Sequence, residues 1–381
     1  MIDARPAVDP RRTGVGHYTA GLLHHLPVVD PGRSFVAWYL DVRSIGSRPR
    51  RFAHVMPNLT EHASRIPSRM YGPVAIRTGF PRLEWLAGGY DLVLATNFLP
   101  PSPTTRGVLV VHDLAFAVRP ETAPHHDARW RRRFAGALVD AAAVIVPSDA
   151  AHRDLLATHE VDPGIVTTVH HGTDAEAFRP ASPHQVEELR RRLGIDGPYV
   201  AFLGGLEPRK NLERLIRAFA LVDEQRVSLV VAGGRVRWAP GYGEEVDAAI
   251  ESLPGDVASR IVRTGYVSDT DRRTLLSGAE VLAYPSVHEG FGFPILEGFA
   301  ANVPVLTSST SSLPEVAGDA AVQVDPDDVE AIAAGLHQLL VDDDLRHVCR
   351  AAGAARVASF TWERCARATA TVLHGALERA Q

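Results

Sequence analysis

Short, unbroken apolar runs alternate along this chain with longer stretches whose apolar residues return every three or four positions. The runs are Asp91–Ala95, Val108–Val111, Val144–Val146, Ile165–Val169, Tyr199–Leu203, Ser228–Val231, Ile261–Val262, Val281–Tyr284 and Val303–Leu306. An uninterrupted run bounded by turn residues suits a strand buried on both faces, as in a parallel sheet. Between them, Leu22, Leu23 and Leu26, and later Leu212, Leu215, Ile216 and Phe219, each trace one face of a helix. Strand and helix patterns in alternation predict an α/β fold with a parallel sheet in each half. Ile2–Ala4 reads as the end of a first, unusually short strand. A long helix is expected from Arg129 to about Ala143, and a terminal one from about Trp362 to Arg379. Residues 43–86 read as irregular.

At 381 residues the chain exceeds what one core usually organises, so two α/β domains are expected. A net charge of −5 argues against general nucleic-acid binding. The two cysteines, Cys349 and Cys365, offer neither a disulfide framework nor a metal cluster, which fits a reducing cytosol. No run approaches the ~20 apolar residues of a membrane span, and Met1–Pro6 has no signal-peptide pattern. The expected location is the cytoplasm. Two basic stretches leave the inner membrane face open. One has Arg48, Arg50, Arg51, Arg65, Arg69, Arg77 and Arg82 among Ile66, Met70, Phe80 and Trp85; the other is Arg129–Arg133. Each reads either as a solvated face or as a contact for an acceptor or for anionic lipid.

The stretch with most chemistry is His288–Gly298, which follows the run Val281–Tyr284. Pro294 fits the start of a helix, where a missing N–H costs nothing. The pattern is therefore strand, glycine-containing loop and helix N-terminus, with free N–H groups and a positive dipole end at the strand's tip. Glu289 falls in the loop and Glu297 in the first helical turn, while Gly290 and Gly292 let backbone amides approach a ligand. A glutamate near a helix start is also explained by the dipole alone. Three other places carry weaker signals. Gly14 and Gly16 lie at a strand-to-helix turn, and His112 ends a strand where α/β ligands bind. Arg209 and Lys210 stand beside the turn Gly204-Gly205 and a helix start, which suits a diphosphate clamp.

The segment Glu289–Glu297 resembles the two-glutamate signature of retaining nucleotide-sugar glycosyltransferases of family 4, and Glu207–Asn211 resembles the Glu-Pro-Arg-Lys-Asn mannosyltransferase-like subgroup. The resemblance covers nearly the whole chain and is strongest from 199 to 325. It implies the GT-B architecture: two Rossmann-like domains with parallel sheets facing across a cleft. The first would be 1–178, on the acceptor side and completed by the C-terminal helix 362–381. The second, 179–361, would bind the nucleotide sugar, and a hinge is expected near 175–183. The resemblance also implies roles. Glu289 and His112 would be catalytic. Arg209, Lys210, Glu297, Gly290, Phe291, Gly292, Gly14, Gly16, Tyr266 and Val267 would bind the donor, the last two near the base. The chain departs from the family at Gly205, where many members have Arg, and at His171 and Thr173, where relatives commonly have Asn and Val.

The expected reaction moves a hexose, with mannose favoured, from a nucleoside diphosphate sugar to an acceptor hydroxyl with retained configuration and no metal cofactor. GDP-mannose is the favoured donor, with UDP- and dTDP-sugars open, as are glycan, lipid-linked and small-molecule acceptors. The alternatives are a sugar-nucleotide-binding scaffold without chemistry, supported by Gly205, and an epimerase or phosphorylase on the same architecture.

Overall fold

The computed structural model describes residues 1–9, 12–41, 56–66, 71, 74, 78, 80, 82–102, 105, 107–123 and 126–379. They form two units: Met1–Leu114 with Asp127–Gly172 and Thr361–Gln381, and Ala115–His126 with Thr173–Phe360. The chain crosses at Gly172/Thr173, earlier than the expected boundary after residue 178. The reason is hydrophobic: Phe178 is buried in the second unit's core, with Ala175 and Ala177 packed against it.

The first unit holds a parallel sheet of β1 (Ile2–Asp3), β2 (Phe35–Leu40), β3 (Leu59–Ser64), β4 (Val93–Ala95), β5 (Gly107–Val110), β6 (Ala143–Val146) and β7 (Val166–Thr168), in the order β3-β2-β1-β4-β5-β6-β7. β3 lies in the stretch read as irregular. It is an edge strand with a mostly solvated middle, so its sequence carries no buried run. Arg48, Arg50, Arg51, Arg69, Arg77 and Met70 lie outside the described residues. The helix expected to reach Ala143 ends at Val139, because Ala143 already opens β6. Its first turn is capped by Asp127, whose side chain accepts from the Trp130 amide. The terminal helix Trp362–Glu378 belongs to this unit and packs on the helix Gly14–Val29. Trp362 lies against Gly21, where a Cβ would sit 2.6 Å from its ring.

The second unit holds β8 (Tyr199–Leu203), β9 (Ser228–Ala232), β10 (Ile261–Gly265), β11 (Val281–Tyr284), β12 (Val305–Ser308) and β13 (Val322–Val324), all parallel, in the order β10-β9-β8-β11-β12-β13. Alternation along β8 shows why the runs are unbroken. Tyr199, Ala201 and Leu203 enter one core and Val200 and Phe202 the other, so both faces are buried. From β8 the chain winds outward through β9 and β10, then returns to β11 on the other side of β8. The sheet therefore has its switch point between β8 and β11, and a ligand crevice is expected at their C-terminal ends.

Candidate active site

The loops that leave β8 and β11 meet at this switch point. After β8, Pro208 starts a short 3-10 turn, Pro208–Lys210, closed by Asn211 at φ 61° before the helix Leu212–Leu221 begins. Asn211 tolerates this left-handed conformation better than most residues. Its side-chain amide donates to the carbonyls of Pro285, at 2.9 Å, and Pro326, at 2.7 Å. The Val287 amide donates to the Arg209 carbonyl at 2.9 Å. Backbone and side chain thus stitch the two loops together.

On that frame Arg209 and Lys210 converge on one carboxylate. Lys210 Nζ donates to Glu289 Oε1 at 2.5 Å and to the Tyr284 hydroxyl at 2.5 Å, and that hydroxyl donates to Glu289 Oε1 at 2.7 Å. Arg209 Nη1 pairs with Glu289 Oε2. Through Nη2 it also holds Glu207 Oε1 at 2.9 Å, while the Trp238 indole N–H donates to Glu207 Oε2 at 2.9 Å. Glu207, Lys210, Tyr284 and Glu289 are all buried.

Burial alone would raise the Glu289 pKa. The charges of Arg209 and Lys210 and the bonds from Lys210 and Tyr284 outweigh it and hold the carboxyl at about 2. Lys210 is pushed down, first by burial and then by Arg209, with Glu289 and Glu207 opposing. Tyr284 is pushed well up by burial and by Glu289, so it stays a hydroxyl and a donor. Buried charges rarely repay their desolvation in stability. Such a concentration at a switch point is a functional signature.

The polar residues at the end of β12 and just after it support the loop that leaves β11, and helix capping explains none of these bonds. Thr307 donates to the Tyr284 carbonyl at 3.1 Å, Ser308 to that of Ser286 at 2.6 Å and Thr310 to that of Val287 at 3.3 Å. Ser312 donates to the carbonyls of Glu289 and Phe291, both at 2.8 Å, and the Glu289 amide donates to Ser311 at 3.0 Å. Gly292, at φ 118°, turns the loop into the helix Phe293–Ala300; a Cβ there would be strained and would meet Leu313 at 2.9 Å. Phe291 is buried with its ring against Phe293 and Phe360. Its side chain is part of the core, and its carbonyl accepts from Ser312.

Because the helix starts at Phe293, Glu297 falls in its second turn, one turn later than expected. Oε1 pairs with Arg272 at 3.1 Å, in a contact separate from the Glu289 cluster, and Oε2 is buried with no hydrogen-bond partner among the described residues. Burial pushes the Glu297 pKa up, with Arg272 opposing. The Arg272 guanidinium lies over the Phe178 ring, 5.3 Å from its centroid. Tyr266 and Val267 follow β10, at Gly265; Tyr266 is exposed and Val267 packs on the core.

In the first unit Gly14 and Gly16 lie inside the helix Gly14–Val29, not in a loop before it, and a Cβ at Gly16 would meet the Pro6 carbonyl at 2.8 Å. His112 is buried. Its Nε2 donates to the Thr96 carbonyl at 2.7 Å, and a carbonyl can only accept, so the proton sits on Nε2. Its Nδ1 faces His171 Nε2 at 3.4 Å, which makes His171 the donor. Burial lowers the pKa of His112 and takes that of His171 well below the ordinary imidazole value, where the neighbouring His112 and His170 add to the effect. Tyr18 packs on both rings.

Residues 185–356 match the family described as glycosyl transferases group 1. The chain is 32% identical over 280 residues to O-antigen chain mannosyltransferase B of Escherichia coli, an alignment covering 72% of this chain and 71% of that protein. The chain is a group 1 glycosyltransferase. It is also 30% identical over 302 residues to a D-inositol 3-phosphate glycosyltransferase of Corynebacterium jeikeium (strain K411), covering 74% of this chain and 69% of that protein. Two solved structures share the GT-B fold. Anabaena HepE in complex with UDP-glucose has a TM-score of 0.74 at 18% identity, covering 98% of each chain. Sucrose-phosphate synthase from Thermosynechococcus elongatus has a TM-score of 0.77 at 20% identity, covering 100% of this chain and 98% of that one.

Three parts of this glycosyltransferase's site were not legible in its sequence. Tyr284 reads as one more apolar strand residue, although its hydroxyl reaches Glu289 from the end of β11. Glu207 and Trp238 meet only because their loops follow the adjacent strands β8 and β9. At Gly205 a Cβ would lie 2.6 Å from Val236, so the arginine of other members has no room unless Val236 moves.

Proposed function

We propose that this glycosyltransferase is a retaining hexosyltransferase that takes its sugar, mannose in our reading, from GDP-mannose and delivers it to a glycan acceptor hydroxyl. One observation carries the reading: Arg209 and Lys210 converge on Glu289 at the switch point of the second sheet. Breaking the sugar C1–O bond develops negative charge on the diphosphate and positive charge on the sugar. Two cations held in a buried site are placed to answer the first. Glu289 stays ionised, so it serves the sugar as a hydrogen-bond acceptor and a counter-charge rather than as a proton donor. The unpartnered oxygen of Glu297 is suited to a ribose hydroxyl.

In this reading the acceptor oxygen bonds to C1 on the face the diphosphate leaves, and the acceptor's proton passes to a leaving phosphate oxygen. No metal is required, since side chains answer the leaving group's charge. His112, neutral and bonded through both nitrogens, acts through its fixed ring edge and not as a proton carrier. The mannosyltransferase relative supports the choice of sugar. The position of Arg209 beside Lys210 supports a reading in which it takes the place of the arginine missing at Gly205, against a scaffold without chemistry.

The test is a thermal-shift screen of GDP-mannose, UDP-glucose and dTDP-glucose with EDTA present, followed by transfer to a mannose-terminated oligosaccharide and NMR of the product anomer. GDP-mannose should raise the transition temperature by mass action and give the α-anomer, and Lys210→Met should lose both effects. Stabilisation by UDP-glucose alone would overturn the donor, and an inverted product would overturn retention.

A further inference from the structure

The buried cluster is already neutral. Arg209 and Lys210 are matched by Glu207 and Glu289, and Glu289 holds both cations at once. A diphosphate reaching the same cations would sit beside an ionised carboxylate at hydrogen-bonding distance, where like charges repel strongly in a buried site. One of the two anions must yield.

The structure points to which. The Glu289 backbone is pinned by Ser311 at its amide and by Ser312 at its carbonyl, so its freedom lies in the side chain. Arg209 is held from the other side by Glu207, itself fixed by the Trp238 indole. Nη2 keeps that anchor while Nη1 changes partner, which a guanidinium with five N–H donors can do.

We propose that Glu289 acts as an internal substitute for the diphosphate. In the donor-free enzyme its carboxylate fills the anion position on Arg209 and Lys210. The incoming donor displaces it from Arg209 by side-chain rotation, which turns it toward the sugar. After transfer it returns and helps expel the nucleoside diphosphate. Glu207 and Trp238 are positioning residues that keep Arg209 in place through the exchange. This inference rests on the reading of Arg209 and Lys210 as the diphosphate clamp.

The test uses the full chain and its Glu289→Gln variant, which keeps the shape but not the charge. Binding of inorganic pyrophosphate, GDP and UDP is measured by calorimetry, and transfer from GDP-mannose in parallel. Glu289→Gln should bind pyrophosphate and GDP at least ten-fold more tightly than the unsubstituted protein, while kcat falls more than a hundred-fold. Equal or weaker binding by the variant would overturn the exchange. A second measurement needs no variant: crystals of the unsubstituted chain with and without GDP. The Arg209–Glu289 contact should be present without GDP and broken with it. Its persistence beside bound diphosphate would overturn the exchange alone. A diphosphate bound away from Arg209 and Lys210, or no binding of any of the three compounds, would overturn the clamp as well.

Discussion

The depressed pKa of Glu289 makes a quantitative claim about acid stability. Its carboxyl falls from 4.5 to about 2 in the folded protein. At 1.36 kcal/mol per unit, that difference is worth about 3 kcal/mol of folding free energy. A lowered carboxyl pKa stabilises fully above the unfolded value, and the contribution is lost as pH falls toward the folded one. The window is therefore from pH 5.5 down to about 2. Trp238 is the only tryptophan in the second unit. With 5-fluorotryptophan incorporated, its 19F resonance follows that unit's unfolding in urea. The stability of the unsubstituted protein minus that of Glu289→Gln should shrink by about 3 kcal/mol between pH 5.5 and 2. Parallel profiles for the two proteins would refute the electrostatic account of the cluster.

Two further outcomes follow from the geometry. Asn211→Gly keeps the left-handed backbone but leaves the Pro285 and Pro326 carbonyls without their donor, so the second unit should lose about 2–4 kcal/mol in urea unfolding; a loss under about 0.5 kcal/mol would mean those bonds do not hold the loops. In the first unit His112 and His171 are both held below the ordinary value of 6.5, so the unfolded chain takes up protons first and stability should fall as pH drops below 6.5. Denaturation at pH 7 and pH 5 checks this, and His171→Asn should flatten the dependence.

Strands buried on both faces announced themselves, because burial on two sides demands an apolar residue at every position, as along β8 and β11. β3 did not: Leu59 and Ser64 are buried at its ends, but its middle faces solvent. The glutamates and the Arg209–Lys210 pair stood out through the spacing of their motifs, since charge beside a turn or a helix start has structural uses of its own. Their partners did not. The link from Trp238 to Glu207 spans 31 residues and exists only through strand order. The bonds from Ser308, Ser311 and Ser312 to the loop after β11 likewise exist only because β12 lies beside β11. Gly14 and Gly16 read as a loop but open a helix, and at Gly16 the Pro6 carbonyl leaves no room for a Cβ.

The single amide bond from Val287 to the Arg209 carbonyl joins the two motif loops across a gap of nearly eighty residues. With the Asn211 side chain on the Pro285 carbonyl beside it, neither loop drifts without carrying the other, so the spacing of Arg209, Lys210 and Glu289 is set where the loops are joined and not only where their charges meet. An engineer who transplants one loop into a cousin with a different specificity will therefore also import, or break, the alignment of the other.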